Sequence, residues 1–273
     1  MKIIVLRGGA RPRRRPAPWS ASSRPGTRDR GAMALGSGDG HWVLLNVSAA
    51  AAHQLDTDTL LDVHTGLHDA TSRAVVLTDA QVDHVGGLLS LRDGPPIDLY
   101  ATPAVFEALT TALPVLPVLQ HYCGVHWHVV PVAGDTREAS FRIDSLPKLE
   151  FTAIATNAPS LPHAAPGEHP RVGDSIVLAV RDLATGQRVF CAPGSAPSSG
   201  LAFDWMREAD CLLMDGPDGS ADDDAVWMDR LGELPARHKV LFTTDLGTAG
   251  PAQRQAMADR GIRMAYDGME IVL

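Results

Sequence analysis

The sequence predicts an α/β chain folded as one domain, and three observations carry that expectation. Its 273 residues, 45% of them hydrophobic, suit a single domain with a substantial core. Short β-branched runs alternate along the chain with segments of helical character. One such run, Ala74 to Leu77, feeds a polar cluster, Thr78 to His84, and a Gly86-Gly87 pair then opens an apolar stretch of helical character. Strand, polar turn and helix in that order place side chains at the carboxyl edge of a sheet, where sites form.

Composition narrows the function classes. Lys and Arg number 24 against 32 Asp and Glu, a net charge of -8, which argues against a nucleic-acid surface as the main function. Cys123, Cys191 and Cys211 form neither a C-x-x-C pair nor an even-numbered framework, so a reduced, cytoplasmic setting is expected. No apolar run reaches membrane-spanning length, so no membrane span is expected. Arg11 to Arg15 is basic but no apolar run follows it, and a signal peptide is not expected.

In chain order, Met1 to Leu6 reads as a short buried strand. Gly8 to Gly40, rich in Arg, Pro, Ser and Gly, reads as a long mobile loop. His41 to Val47 is a strand, and Ser48 is placed to cap an Ala-rich helix running to Leu55. Ile97 to Ala101 is a strand, with a helix from Pro103 to about Ala112 that starts on proline. Pro114 and Pro117 make Leu113 to Leu119 a loop. His126 and His128 alternate around Trp127 and share one face of a strand, as edge or surface residues rather than a metal pair. Strands are expected at Phe141 to Asp144, Leu149 to Ala155, Ser175 to Val180 and Gln187 to Ala192, with a turn over Asp182 to Gly186. A helix through Trp205 to Glu208 precedes a buried strand that ends at Asp215. Lys239 to Thr243 is the penultimate long strand, Pro251 to Arg260 a helix, and the chain closes with a hairpin around Asp267-Gly268.

Asp83 and His84 stand in the turn after the Ala74 strand, and both residue types are competent metal ligands; an ordinary solvated pair is the bland alternative. Leu77-Thr78-Asp79-Ala80-Gln81-Val82-Asp83-His84, with Gly87-Leu88-Leu89-Ser90-Leu91-Arg92 behind it, resembles the first metal-binding turn of the metallo-β-lactamase fold. That pattern is His-x-His-x-Asp-His. Asp79 and Gln81 take the places of its first two histidines, while Asp83 and His84 match its last two. In detail the run is similar to the pyrroloquinoline quinone (PQQ) biosynthesis protein B family. The Trp127-His128 strand, Gly173-Asp174 before a strand, Asp210-Cys211-Leu212-Leu213 and Ala265-Tyr266-Asp267-Gly268-Met269-Glu270-Ile271 extend the likeness to the C-terminus.

The resemblance implies a metallo-β-lactamase-like αββα sandwich over residues 1–273, two sheets face to face with helices outside. It implies a part in PQQ biosynthesis on the peptide-derived Glu–Tyr precursor, with the chain as a mononuclear Fe(II)- and oxygen-dependent hydroxylase of the precursor's tyrosine ring. The alternative is a catalytically degenerate relative that binds or carries PQQ or its precursor, in line with an older family-level idea of transport to the periplasm. The ligands it implies are Asp83 and His84, with a histidine from the loop between Asn157 and Asp174, His169 first and His163 second; either can equally be an exposed loop residue. Asp215 supports them as a ligand or as an orienting carboxylate, or merely turns the chain. Zinc is the alternative occupant, and a homodimer is compatible with the family.

Several departures weaken the iron site. The family's cysteine cluster is replaced by Ser20, Ala21, Ser22, Ser23 and Arg24, so no N-terminal structural zinc is expected. A Gly-His-Leu-Pro segment is missing near Asp218 to Asp224, and Thr243 stands where the family has a histidine, with Asp245 only a partial substitute. Phe190-Cys191-Ala192-Pro193-Gly194 lacks the bridging Asp of hydrolytic members, which disfavours a dinuclear hydrolase. Asn46 and Ser48 fall in a segment that lines the family's pocket, although capping is the simpler role for Ser48.

Overall fold

The computed structural model describes residues 1–8, 31–57, 64, 66–67, 73–158, 169–194, 197, 200–216, 221–242 and 251–273, with backbone only for 221–224 and 251–254. Two seven-stranded sheets form its centre. The first contains β1 (Lys2–Arg7), β2 (Ala32–Gly36), β3 (Trp42–Leu45), β4 (Arg73–Val76), β5 (Ile97–Ala101), β6 (Val125–Val129) and β14 (Met269–Val272), in the order β14-β1-β2-β3-β4-β5-β6. The second contains β7 (Glu138–Phe141), β8 (Leu149–Ala155), β9 (Ile176–Asp182), β10 (Arg188–Ala192), β11 (Cys211–Asp215), β12 (His238–Phe242) and β13 (Ile262–Met264), in the order β13-β12-β11-β10-β9-β8-β7.

Three apolar clusters explain the layering. Alternate residues of both sheets, among them Ile3, Met33, Leu45, Phe151, Leu178 and Phe242, meet in one buried core between the sheets. The outer face of the first sheet packs on helices α1 (Ala49–Thr57), α3 (Pro103–Thr110) and α4 (Val115–Leu119). The outer face of the second packs on α5 (Gly200–Arg207), α6 (Ala221–Glu233) and α7 (Pro251–Asp259). This is the expected αββα sandwich. Strands β3 to β6 run parallel, as do β10 to β13, so each sheet has a carboxyl edge.

Four local expectations are corrected. Ala32–Gly36 is not loop but strand β2, fully buried between β1 and β3; its small residues conceal a strand that exists because both neighbours pair with it. Val115–Leu119 is a helical turn despite its prolines, because Pro117 sits in the first turn, where no backbone donor is needed. Phe141 closes β7 instead of opening a strand, since the chain turns at once, with Leu146 N–H donating to Ile143 C=O. Asp267-Gly268 is a turn but not a hairpin, because β13 belongs to one sheet and β14 to the other. Arg7 pins that crossing by an ion pair to Asp267 at 2.7 Å.

Candidate functional site

The site grows from the end of β4. After Val76 the chain leaves the sheet, and α2 (Val82–Val85) begins before the Gly86-Gly87 pair, with a 3-10 segment over Gly86–Leu91 continuing it. The segment after β3 clamps this short helix: Val47 N–H donates to His84 C=O at 2.6 Å, and Gly87 N–H donates to Val47 C=O at 2.8 Å. Gly87 is required for so close an approach, since a Cβ there would meet the Ser48 oxygen at 2.2 Å. Ser48 itself accepts from Ala51 N–H at 3.1 Å and so caps α1, the simpler of its two expected roles.

His84 is the centre of the arrangement. It is buried, and both oxygens of the equally buried Asp79 lie 2.8 Å from its Nδ1. Asp79 also accepts from Gln81 N–H at 2.9 Å and lies 3.2 Å from the Thr78 hydroxyl. No described residue hydrogen-bonds Nε2. Burial presses the His84 pKa down, yet the adjacent Asp79, with Asp215 and Asp83 adding to it, leaves it above the ordinary value. Asp215 is therefore within electrostatic reach of the ring from the carboxyl end of the neighbouring sheet, and its Oδ1 is sealed from solvent. Asp83, half-buried, belongs to the same helix as His84. Gly194, past the end of β10, faces the imidazole; a Cβ there would lie 3.4 Å from Cε1. The strand end that carries the bridging carboxylate in the hydrolytic pattern thus presents a bare glycine.

The other expected ligands are placed differently. His169 is exposed at the start of the stretch leading into β9, and His163 lies outside the described residues, as do residues 20–24, Thr243 and Asp245. The far end of that stretch does reach the site, because Ile176 N–H donates to Thr78 C=O at 2.9 Å. Iron held by a mononuclear site needs about three converging protein donors. Among the described residues no three His, Cys, Asp or Glu side chains form a group able to hold a metal ion. Asp79, at the place of the pattern's first histidine, has both oxygens turned to Nδ1 of His84. The described donors therefore do not fit an iron centre.

Sequence reasoning missed the part played by Asp79, which takes the place of the pattern's first histidine and is the partner of His84. The available signal was an Asp five residues before a His across a turn. The brace formed by Asn46 and Thr78 left no such signal, since its partners are 32 residues apart. His126 and His128 lie on edge strand β6, both within hydrogen-bonding distance of Asp98 Oδ1, at 3.3 and 3.1 Å. No helix of the described residues is long and apolar enough to cross a membrane.

Comparison with known proteins agrees with this architecture. Residues 41–249 match the family model described as a beta-lactamase superfamily domain. Coenzyme PQQ synthesis protein B of Klebsiella pneumoniae is 33% identical over 261 residues, covering 85% of this chain and 82% of the relative. The protein of the same description from Pseudomonas aeruginosa strain UCBPP-PA14 is 32% identical over 279 residues, covering 93% and 90%. Among solved structures, the Zn(2+)-bound PqqB from Methylobacterium extorquens superposes with a TM-score of 0.74 at 22% identity, over 100% of both chains. The family model over residues 41–249 and long relatives above 30% identity lead to one assignment, and the all-chain structural match agrees with its fold. The chain belongs to the coenzyme PQQ synthesis protein B family within the β-lactamase superfamily.

Proposed function

We propose that this chain serves PQQ biosynthesis by binding PQQ or its peptide-derived Glu–Tyr precursor beside His84, without a resident iron centre. The observation that supports it is the buried His84 imidazole, oriented through Nδ1 by Asp79, with no described residue hydrogen-bonded to its Nε2. A cytoplasmic setting and a homodimer belong to the same proposal, the latter measurable by light scattering. Calorimetric titration with PQQ and with the precursor tests the reading. One of them binds, and His84→Ala weakens that binding about tenfold, the cost of leaving a buried donor of the ligand without its acceptor. Equal affinity in the variant, or no binding of either compound, contradicts it.

A second reading, the iron- and oxygen-dependent hydroxylase of the precursor's tyrosine ring, is favoured by the Asp79–His84 pair, because a carboxylate on the remote nitrogen is how metal-bound imidazoles are commonly held. In it Asp83 and His84 are the catalytic pair. His169 or His163 completes the ligands, Asp215 supports them, and zinc is the alternative occupant. Oxygen activation would be the metal's chemistry.

A further inference from the structure

Asn46 is the one non-glycine residue with positive φ among the described residues, at 56°. Left-handed backbone is unfavourable for residues with a side chain, and Asn is among the few that adopt it. It stands just past β3, wholly buried, with its N–H donated to Val76 C=O at 2.9 Å. Its side chain spends all its hydrogen bonds on one residue. Thr78 N–H donates to Oδ1 at 3.0 Å, and Nδ2 donates to the Thr78 hydroxyl at 2.9 Å. The backbone N–H can only donate, so it settles which end of the amide faces it.

The Thr78 hydroxyl then has one proton and two acceptors in range, Asn46 Oδ1 and Asp79 Oδ2, each at 3.2 Å. Oδ1 already accepts the Thr78 N–H, and a carboxylate is the stronger acceptor, by roughly twofold. The proton therefore goes to Asp79. The result is a directed chain: Asn46 Nδ2–H to Thr78 Oγ1–H to Asp79, which accepts Nδ1–H of His84. Gln81 N–H holds the other carboxylate oxygen at 2.9 Å. All four side chains are buried, so water offers no substitute for any link.

We propose that Asn46 and Thr78 are positioning residues for His84: acting through Asp79, they fix its neutral imidazole as the Nδ1–H tautomer and so present an unprotonated Nε2 to the ligand. This rests on the reading that His84 is the working imidazole of the site. It is tested without any ligand or metal, so its fate separates from that of the binding proposal.

The measurement is a long-range proton–nitrogen NMR spectrum of the full chain with labelled histidine, at a pH where the imidazole is neutral. The parent protein and Thr78→Ser, which keeps the hydroxyl, show two well-separated ring-nitrogen resonances for His84, with the proton on Nδ1. Thr78→Val keeps the shape and removes the hydroxyl. It moves both resonances toward an averaged position as the tautomer ratio falls on the order of tenfold, the worth of one charge-assisted bond. Asn46→Gly keeps the left-handed backbone, does the same, and supplies the answer if Thr78→Val does not fold. A folded Thr78→Val or Asn46→Gly with parental His84 resonances overturns the proposal, as does a Thr78→Ser protein that behaves like Thr78→Val. PQQ failing to bind while the tautomer stays fixed would remove the binding reading alone.

Discussion

At the scale of single residues, two adjacent glycines behave oppositely. Gly87→Ala drives a Cβ into the Ser48 carbonyl, 2.2 Å away, in backbone that cannot retreat without releasing the clamp on His84. We expect a loss of about 3 kcal/mol in urea unfolding. Gly86→Ala meets only Val82 Cγ1 at 3.7 Å, in backbone that is already right-handed helical, and should be neutral or gain about 0.5 kcal/mol. Equal losses would show that the clamp does not constrain the turn. A second residue-scale effect is pH dependence at His238. Burial, and then the charges of Arg263 and Arg237, hold its pKa below the ordinary 6.5, and Arg263 donates to its Nδ1 at 2.9 Å. The unfolded chain therefore binds the proton more readily. This contribution to stability is present above pH 6.5 and is lost as pH falls through that value toward the folded one. His238→Gln should lose less stability than the parent between pH about 7 and about 5 in parallel denaturant titrations. An unchanged difference across that range would contradict the assignment.

Among the elements, the strand at the edge of the first sheet separates packing from surface. Trp127 stacks on Phe106 with ring centroids 3.9 Å apart and donates from Nε1 to Ala101 C=O at 3.0 Å, which fastens β6 to α3 and β5. Trp127→Ala should cost about 3 kcal/mol. His126, two-thirds exposed, should cost less than about 0.5 kcal/mol on truncation to alanine. Thermal melts of the two variants decide this, and similar Tm values would refute it. The same contrast explains what was legible in the sequence. Val75 and Val76 are β-branched, and the run from Ile97 to Ala101 carries Ile97, Leu99 and Tyr100 between prolines at 96 and 103, so local pattern is enough to find both strands. Ala32 to Gly36 has no such signature and is a strand only because β1 and β3 flank it. Pro117 misleads for the opposite reason, since its position within the turn and not its presence decides the outcome.

The whole molecule is an assembly of two sheets whose carboxyl edges bring β4 and β11 to one place, so His84 and Asp215 are near although 131 residues separate them in the chain. The turn motif could be read from residues 77–92 alone. What it does chemically could not, because the identity of each neighbour depends on how the sheets face each other. Asp79 reads as a ligand position in sequence and folds back onto His84 in space. Asn46 reads as the end of a strand and proves to be a brace for the turn. A site with one prepared imidazole and, among the described residues, no converging trio should hold iron poorly while the chain stays folded. The direct measurement is anaerobic loading with Fe(II), desalting, and metal counted per chain, alongside His84→Ala. We expect far less than one ion per chain in both proteins, with unchanged circular dichroism. One tightly held ion per parental chain, absent from the variant, would contradict the account.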